Sequence, residues 1–201
     1  MKTAKGRPPV ATQTTTHQGP GFVRLISGKW KGRRLPVLDA AGLRPTSDRV
    51  KETLFNWLMQ DVAGSTVLDC FAGSGSLGLE ALSRYADFVL LLEKDAKAAT
   101  LLKQHLKSLG SEEAEVLQTD TLMWLQKPAQ RQFDLVFIDP PFRKDMALPC
   151  CKALADQGWL KPGALIYLET EKELALDQLP ADWVLLKEKV AGQLAYRLWQ
   201  A

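Results

Sequence analysis

Cysteine and histidine are scarce in this chain, and long apolar runs are missing. Its 201 residues include only three cysteines and two histidines. Cys70, Cys150 and Cys151 are odd in number and lack metal-ligand spacing, and His17 and His105 stand far apart. A zinc site is therefore not expected, and no other metal is called for. Adjacent Cys150 and Cys151 read as core fillers on a helix. The strongest apolar stretches last about five residues, as around Val89–Leu92, against the roughly 18 that a membrane span needs. Met1-Lys2-Thr3-Ala4-Lys5 carries charge with no apolar segment behind it, which argues against a secretory signal. No membrane partner, a cytoplasmic location and a monomer are expected. An apolar fraction of 46% with 24% charged residues is that of an ordinary globule, long enough for one domain with a substantial core.

The charge that is present is unevenly placed. Residues 1–50 hold ten Lys and Arg against two Asp, a balance of +8, which leaves −5 for the remainder of a chain whose total is +3. A cationic N-terminal region on a mildly acidic body fits a polyanion partner, and it also fits a merely solvated basic surface. Residues 1–20 lack periodicity and read as a disordered basic leader. Residues 21–44 read as a β-hairpin, Phe22–Ile26 against Arg33–Val37, around the glycine-flanked loop Ser27-Gly28-Lys29-Trp30-Lys31-Gly32. Arg24, Lys29, Lys31, Arg33, Arg34 and the later Arg49 are the candidate phosphate contacts. Trp30 can stack on a base or pack beneath the hairpin.

Residues 45–201 read as a single catalytic domain. A helix capped by Thr46 or Ser47 presents Val50, Leu54, Trp57 and Leu58 along one stripe. From Thr66 onwards strands alternate with helices, which points to a parallel sheet. The strands are Thr66–Phe71, Phe88–Leu92, Glu115–Leu117, Phe133–Ile138 and Ala164–Glu169, the last following a turn at Lys161-Pro162-Gly163. The intervening helices are Leu77–Tyr85, Asp95 to about Leu109, Thr121–Gln126 and Met146–Ala155. Trp183–Val190 and Gln193–Trp199, joined at Ala191-Gly192, form a closing antiparallel hairpin. The fold class is thus α/β: a Rossmann-like, mostly parallel seven-stranded sheet with a C-terminal antiparallel hairpin and a small N-terminal hairpin extension.

The first strand runs into Asp69-Cys70-Phe71-Ala72-Gly73-Ser74-Gly75-Ser76-Leu77-Gly78, with Glu93 20 residues beyond Gly73. Gly73, Gly75 and Gly78 fit G-x-G-x-x-G, and Glu93 is placed to bind ribose hydroxyls. Asp69 separates the candidate ligands. A carboxylate in this turn would repel the pyrophosphate of NAD, whereas S-adenosylmethionine brings an ammonium and a sulfonium, which a carboxylate stabilises. An unliganded strand–helix turn is the remaining reading. Asp120 can accept from an adenine amine or cap the helix that follows, and the two uses are compatible.

Asp139-Pro140-Pro141-Phe142 ends the strand Phe133–Ile138. Two prolines remove two donors and fix φ, so the loop is stiff and its carbonyls keep their direction. A carboxylate, a proline carbonyl and an aromatic face suit a planar ring with an exocyclic amine: the acceptors take the N–H hydrogens and the ring stacks on Phe142. Such a tetrad also occurs as a plain strand-terminating turn.

Together, the acidic turn, Glu93, Asp120 and the Asp139 tetrad resemble the class I methyltransferases of exocyclic amines. Arg24-Leu25-Ile26-Ser27-Gly28-Lys29-Trp30-Lys31-Gly32-Arg33 and Arg44-Pro45-Thr46-Ser47-Asp48-Arg49-Val50-Lys51-Glu52-Thr53-Leu54-Phe55 narrow the resemblance to the RsmD-type bacterial enzymes. Ser27 departs from the glycine common there. The resemblance spans roughly residues 22–200. It implies methylation of guanine N2 in small-subunit (16S) ribosomal RNA, as naked RNA or an assembled particle, with S-adenosyl-L-methionine as cofactor. It further implies Asp139, Pro140, Pro141 and Phe142 as catalytic residues. Arg44, Thr46, Asp69, Ala72, Gly73, Ser74, Gly75, Glu93, Asp120 and Thr121 become the cofactor site, with Arg44 and Thr46 folding over it. Adenine N6, a protein glutamine amide, and an RNA-binding factor without activity are the alternatives. The intact tetrad and cofactor turn speak against the last.

Overall fold

The structure, a computed structural model, describes residues 21–38 and 48–201. Five strands are parallel: β3 (Thr66–Asp69), β4 (Phe88–Glu93), β5 (Ala114–Gln118), β6 (Phe133–Ile138) and β7 (Leu160–Glu171). The central strands β3, β4 and β6 are apolar runs that alternate between two layers, as expected of strands buried on both faces, whereas the edge strand β5 carries exposed Glu115 and Gln118. Antiparallel β8 (Val184–Ala191) and β9 (Leu194–Gln200) close the sheet in the order β5-β4-β3-β6-β7-β9-β8. The chain steps outwards from β3 to β5, then returns to lay β6 on the other side of β3. The strand order therefore reverses between β3 and β6, the place where open α/β sheets bind ligands.

One face of the sheet carries α1 (Asp48–Trp57), α2 (Gly78–Ser83) and α3 (Ala96–Leu109), which share an apolar cluster with Val67, Leu91, Phe137 and Tyr167. The other carries α4 (Thr121–Leu125) and α5 (Ala147–Asp156) over Leu68, Leu92, Ile138 and Leu168. Cys70, Cys150 and Cys151 are free and buried in this second layer. Among the described residues no helix is long and apolar enough to cross a membrane.

Two elements differ from expectation. Leu54 and Leu58 of the α1 stripe are buried and Val50 and Trp57 pack partly against them, but Phe55 and Lys51 are buried as well. Lys51 falls in line with Leu54, Phe55 and Leu58 at i, i+3, i+4 and i+7, so the buried stripe includes a cation, and the Glu80 carboxylate meets it there. The expected turn at Lys161-Pro162-Gly163 lies inside β7 as an irregularity: Phe133 pairs with Leu160, and Leu135 pairs with Leu165. Gly163 there bonds the C-terminus instead, its N–H donating to the Ala201 carbonyl at 2.9 Å. The cap expected at Thr46 or Ser47 lies outside the described residues.

The N-terminal hairpin, β1 (Phe22–Arg24) and β2 (Arg34–Pro36), is welded to the first layer. Leu25 and Leu35 join its apolar cluster. Fully buried Glu80 accepts from the backbone N–H of Ile26 (2.8 Å) and Ser27 (3.1 Å) and from Arg84 Nε (2.8 Å). Lys51 Nζ lies 3.7 Å from the same carboxylate and donates to the Arg24 carbonyl at 2.5 Å. Burial pulls the Lys51 pKa down while the Glu80 charge opposes it. Deleting one partner of such a buried pair strands the other without water.

Candidate active site at the carboxyl edge of the sheet

All five parallel strands bring an acid to this edge: Asp69 and Glu93 end β3 and β4, Asp120 and Asp139 follow β5 and β6, and Glu169 lies two residues inside the end of β7. The turn after β3 is threaded between its neighbours, with Cys70 N–H donating to the Phe137 carbonyl (3.0 Å) and Ala72 N–H to the Leu92 carbonyl (2.9 Å). Asp69 is buried at the end of β3, and its Oδ2 accepts from Gly78 N–H at 3.0 Å. Burial raises its pKa to about 7 against the pull of the Gly78 and Phe71 amides, with the Glu93 charge adding to the rise. A buried acid poised between forms is stabilised in its ionised form by any cation set beside it.

Half-buried Glu93 braces the glycine turn: Oε2 accepts from Gly73 N–H and Oε1 from Asp95 N–H, both at 2.7 Å. Asp95 in turn caps α3. Ala72 is buried, and Gly73 and Ser74 are half-buried along the turn. At Gly75, φ is +79°, and a Cβ would lie 2.6 Å from a Leu102 methyl and 2.7 Å from one of Leu79. The missing side chain thus lets α2 and α3 close on the turn. That differs from the role given to this glycine in the dinucleotide-binding motif, which is to leave space for a ligand.

Asp120 caps α4 through Met123 N–H (3.1 Å) and pairs with Lys94 Nζ at 2.9 Å. The Lys94 bond, followed by the Met123 amide, holds its pKa below the usual carboxyl value. Thr121 is buried, and its hydroxyl donates to the Cys70 carbonyl rather than facing outwards. Arg44 and Thr46 lie outside the described residues.

Across the switch point stands the Asp139 tetrad. Asp139 and Pro140 are half-buried; Pro141 and Phe142 are exposed. The Arg143 guanidinium lies 5.0 Å from the centre of the Phe142 ring. The loop's shape is held from β7, since Arg143 N–H donates to Glu171 Oε1. Arg143 (φ 57°) and Asp145 (φ 52°) both sit in the left-handed region, an unusual cost that tends to collect at functional loops. Under the tetrad, Phe137 meets Tyr167 edge-on at 6.3 Å and Phe55 at 6.0 Å. Tyr167 donates its hydroxyl to Glu169 Oε2 at 2.6 Å. Burial, then the charges of Glu169 and Asp139, push the Tyr167 pKa well up. Burial raises Glu169 too, against the Tyr167 hydrogen bond. Sequence reasoning missed Tyr167, Glu169 and Glu171. One signal was present: an apolar run ending in an acid, in Leu168-Glu169 as in Ile138-Asp139.

The cationic loop lies elsewhere. Trp30 N–H donates to Ser83 Oγ (3.1 Å), Ser83 Oγ donates to the Ser27 carbonyl (2.6 Å), and Arg33 reaches the Ser108 carbonyl at 3.4 Å. Ser83 and Ser108 are at the C-terminal ends of α2 and α3, which run away from the acidic edge. Lys29, Lys31, Arg33 and Arg34 are exposed on this far side, and Arg24 on β1 and Arg49 on α1 are exposed too. Trp30 packs partly against the core. Arg34 covers the Phe22 ring at 3.4 Å and Lys29 the Trp30 ring at 4.8 Å.

The strand order is that of a class I methyltransferase sheet, and this chain is a methyltransferase. It belongs to the family described as Conserved hypothetical protein 95, which it matches over residues 23–200. It is 53% identical over 188 residues to ribosomal RNA small subunit methyltransferase D of Haemophilus influenzae, covering 92% of this chain and 97% of the relative. The protein of that name in Escherichia coli K12 is 49% identical over 184 residues, covering 92% of each. The solved structure of yhhF from Escherichia coli superposes with a TM-score of 0.83 at 46% identity, covering 90% of this chain and 98% of that one.

Proposed function

We propose that this methyltransferase transfers a methyl group from S-adenosylmethionine to the exocyclic N2 amine of a guanine in small-subunit ribosomal RNA, in the cytoplasm. The observation that carries the reading is the pair of acid-bearing strand ends, Asp69 and Asp139, on either side of the β3/β6 switch point. The names of the relatives supply the RNA class.

The residues present fit the cofactor. Asp69 offers a buried carboxylate to its cationic end, Glu93 keeps lone pairs for ribose hydroxyls while bracing Gly73, and Asp120 stands one strand further out for the adenine amine. When bound, it supplies a methyl group on sulfonium, a carbon that an amine can attack directly with the bonding pair leaving to sulfur. Guanine N2 is a poor nucleophile because its lone pair is shared with the ring. Asp139 and the Pro140 carbonyl accept its hydrogens and return density to nitrogen as positive charge develops there, so the interaction strengthens towards the transition state. In this reading the proton that the methylated nitrogen sheds goes to Asp139 or to water. Exposed Phe142 offers a face to a base that has left its stack. Alignment across the switch point supplies the rest of the rate.

The test is tritiated S-adenosylmethionine with small subunits that lack the modification, followed by nucleoside analysis. Label in N2-methylguanosine is expected. Label in N6-methyladenosine or in protein, or no transfer to any acceptor, would overturn the proposal.

A further inference from the structure

The Asp139 tetrad explains how an exocyclic amine is held, but adenine and guanine both carry one. On the Watson–Crick edge of guanine the amine is flanked by a second donor, N1–H. On that of adenine the amine is flanked by a bare N1 lone pair. A site that selects guanine therefore needs a second acceptor beside Asp139, at the spacing of adjacent ring positions.

β7 delivers one. Phe137 pairs with Tyr167 and Ile138 with Leu168, so Glu169 lies in the row that Asp139 continues. Alternation along both strands puts Phe137, Tyr167 and Glu169 in register on one face, the face that Asp139 extends. The charges of Glu169 and Asp139 both act on the Tyr167 hydroxyl, which places the two carboxylates around a single buried group. Tyr167, fully buried, holds Glu169 Oε2 at 2.6 Å. Among the described residues this is the hydrogen bond that fixes the Glu169 carboxylate, and it engages only one of the two oxygens. Glu169 is half-buried, open enough to meet a ligand and dry enough to make a mismatch costly.

We propose that Glu169, oriented by Tyr167, accepts the N1–H of the target base and so selects guanine over bases that present a lone pair at N1. The inference rests on guanine N2 being the acceptor amine and names the residue that reads the rest of that edge. Sites built to bond a polar group reject analogues lacking it far more strongly than apolar pockets reject a missing methylene. Tyr167 is a positioning residue here, since it acts through Glu169.

The test places 2-aminopurine at the methylated nucleotide of the small-subunit RNA. This base keeps the amine but has a lone pair at N1. The wild-type protein is expected to prefer guanine by ~10²-fold or more in kcat/KM. In Glu169→Gln the side chain can donate to N1 through its amide, so the preference is expected to shrink by ~10-fold or more, with guanine methylation falling and 2-aminopurine methylation holding or rising. Tyr167→Phe is expected to shrink it in the same direction by a smaller factor, and it carries the test alone if Glu169→Gln fails to fold. Parallel losses on both bases, leaving the ratio unchanged, would overturn the role given to Glu169 while leaving the guanine assignment standing. Absence of guanine methylation by the wild-type protein would overturn the guanine assignment itself.

Discussion

The two halves of the carboxyl edge use their acids differently. On the β3–β4–β5 side, backbone amides reach every carboxylate before any ligand arrives: Gly78 holds Asp69, Gly73 and Asp95 hold Glu93, and Met123 holds Asp120, where Lys94 adds a side-chain bond. On the β6–β7 side, a side chain does that work, Tyr167 holding Glu169, and the loop bearing Asp139 is tied from the neighbouring strand by Glu171. Backbone amides at a strand–helix turn form a fixed cradle, suited to a cofactor that is the same in every turnover. Side chains on a stiff loop can be tuned to one base without disturbing that cradle. The difference suggests that binding and chemistry are separable by mutation.

The largest effect expected on that division comes from Asp139→Ala. Turnover should fall by ~10²-fold or more, the scale of losing a transition-state acceptor or base. Cofactor affinity should change little, because Asp139 lies across the switch point from the glycine turn. Single-turnover rates beside calorimetry would decide it: near-normal rates would remove Asp139 from the chemistry, and a matching loss of affinity would erase the boundary between the halves.

Asp69→Asn should act the other way, weakening cofactor binding by ~10- to 100-fold, the scale of one charge-assisted hydrogen bond. The pH dependence sharpens this. With its pKa raised to about 7, Asp69 carries a proton in the free protein below that pH. A cationic ligand must displace that proton, so affinity should fall by up to about tenfold per unit as pH drops below 7. The folded state also binds this proton more tightly than the unfolded chain, whose carboxyl titrates near ~4. Asp69 therefore adds stability below that range and loses it as pH rises through about 7. Asn should flatten both profiles. Calorimetry in buffers of different ionisation enthalpy would show proton release on binding by the wild-type protein alone; equal release by the variant would refute the assignment.

The smallest effect should come from the far side of the molecule. Replacing Arg33 and Arg34 by Ala ought to leave both halves of the edge untouched. RNA binding should weaken, and the slope of log K against log salt should flatten by ~0.7 to 0.9 for each phosphate that the hairpin no longer neutralises. Superimposable salt plots for variant and wild type would reduce the hairpin's charge to ordinary surface solvation.

Local chemistry carried much of this protein into view. Apolar runs of about five residues punctuated by glycine announce parallel strands, and β6 is observed as expected at Phe133–Ile138. A stiff Pro-Pro loop and an acid before a glycine turn depend on neighbours in the chain, so the strand-end positions of Asp69 and Asp139 were legible. Legibility ended where a contact joins residues distant in sequence. Spacing alone puts Lys51 on the buried face of its helix, but no neighbour in the chain supplies the carboxylate that lets a cation sit there, because its partner Glu80 arrives on another helix. The turn expected at Pro162-Gly163 became part of β7 because the C-terminus came to pair with it.

By itself the sequence determined the elements, the α/β alternation, the acids that end or follow β3 to β6 and the uneven charge, because each of these follows from the preferences and periodicity of consecutive residues. Only the tertiary structure decided which acids face one another. Strand order put β6 against β3 and β7 against β6, and that register set Glu169 beside Asp139 with Tyr167 beneath. It also decided that the cationic loop sits over the ends of α2 and α3, away from the acidic edge, and that Gly75 serves helix packing. The physical reason is the same in each case. Burial and pairing energies depend on what a group meets after the chain has folded back on itself, and that partner is set by sheet order, which no local stretch of sequence encodes.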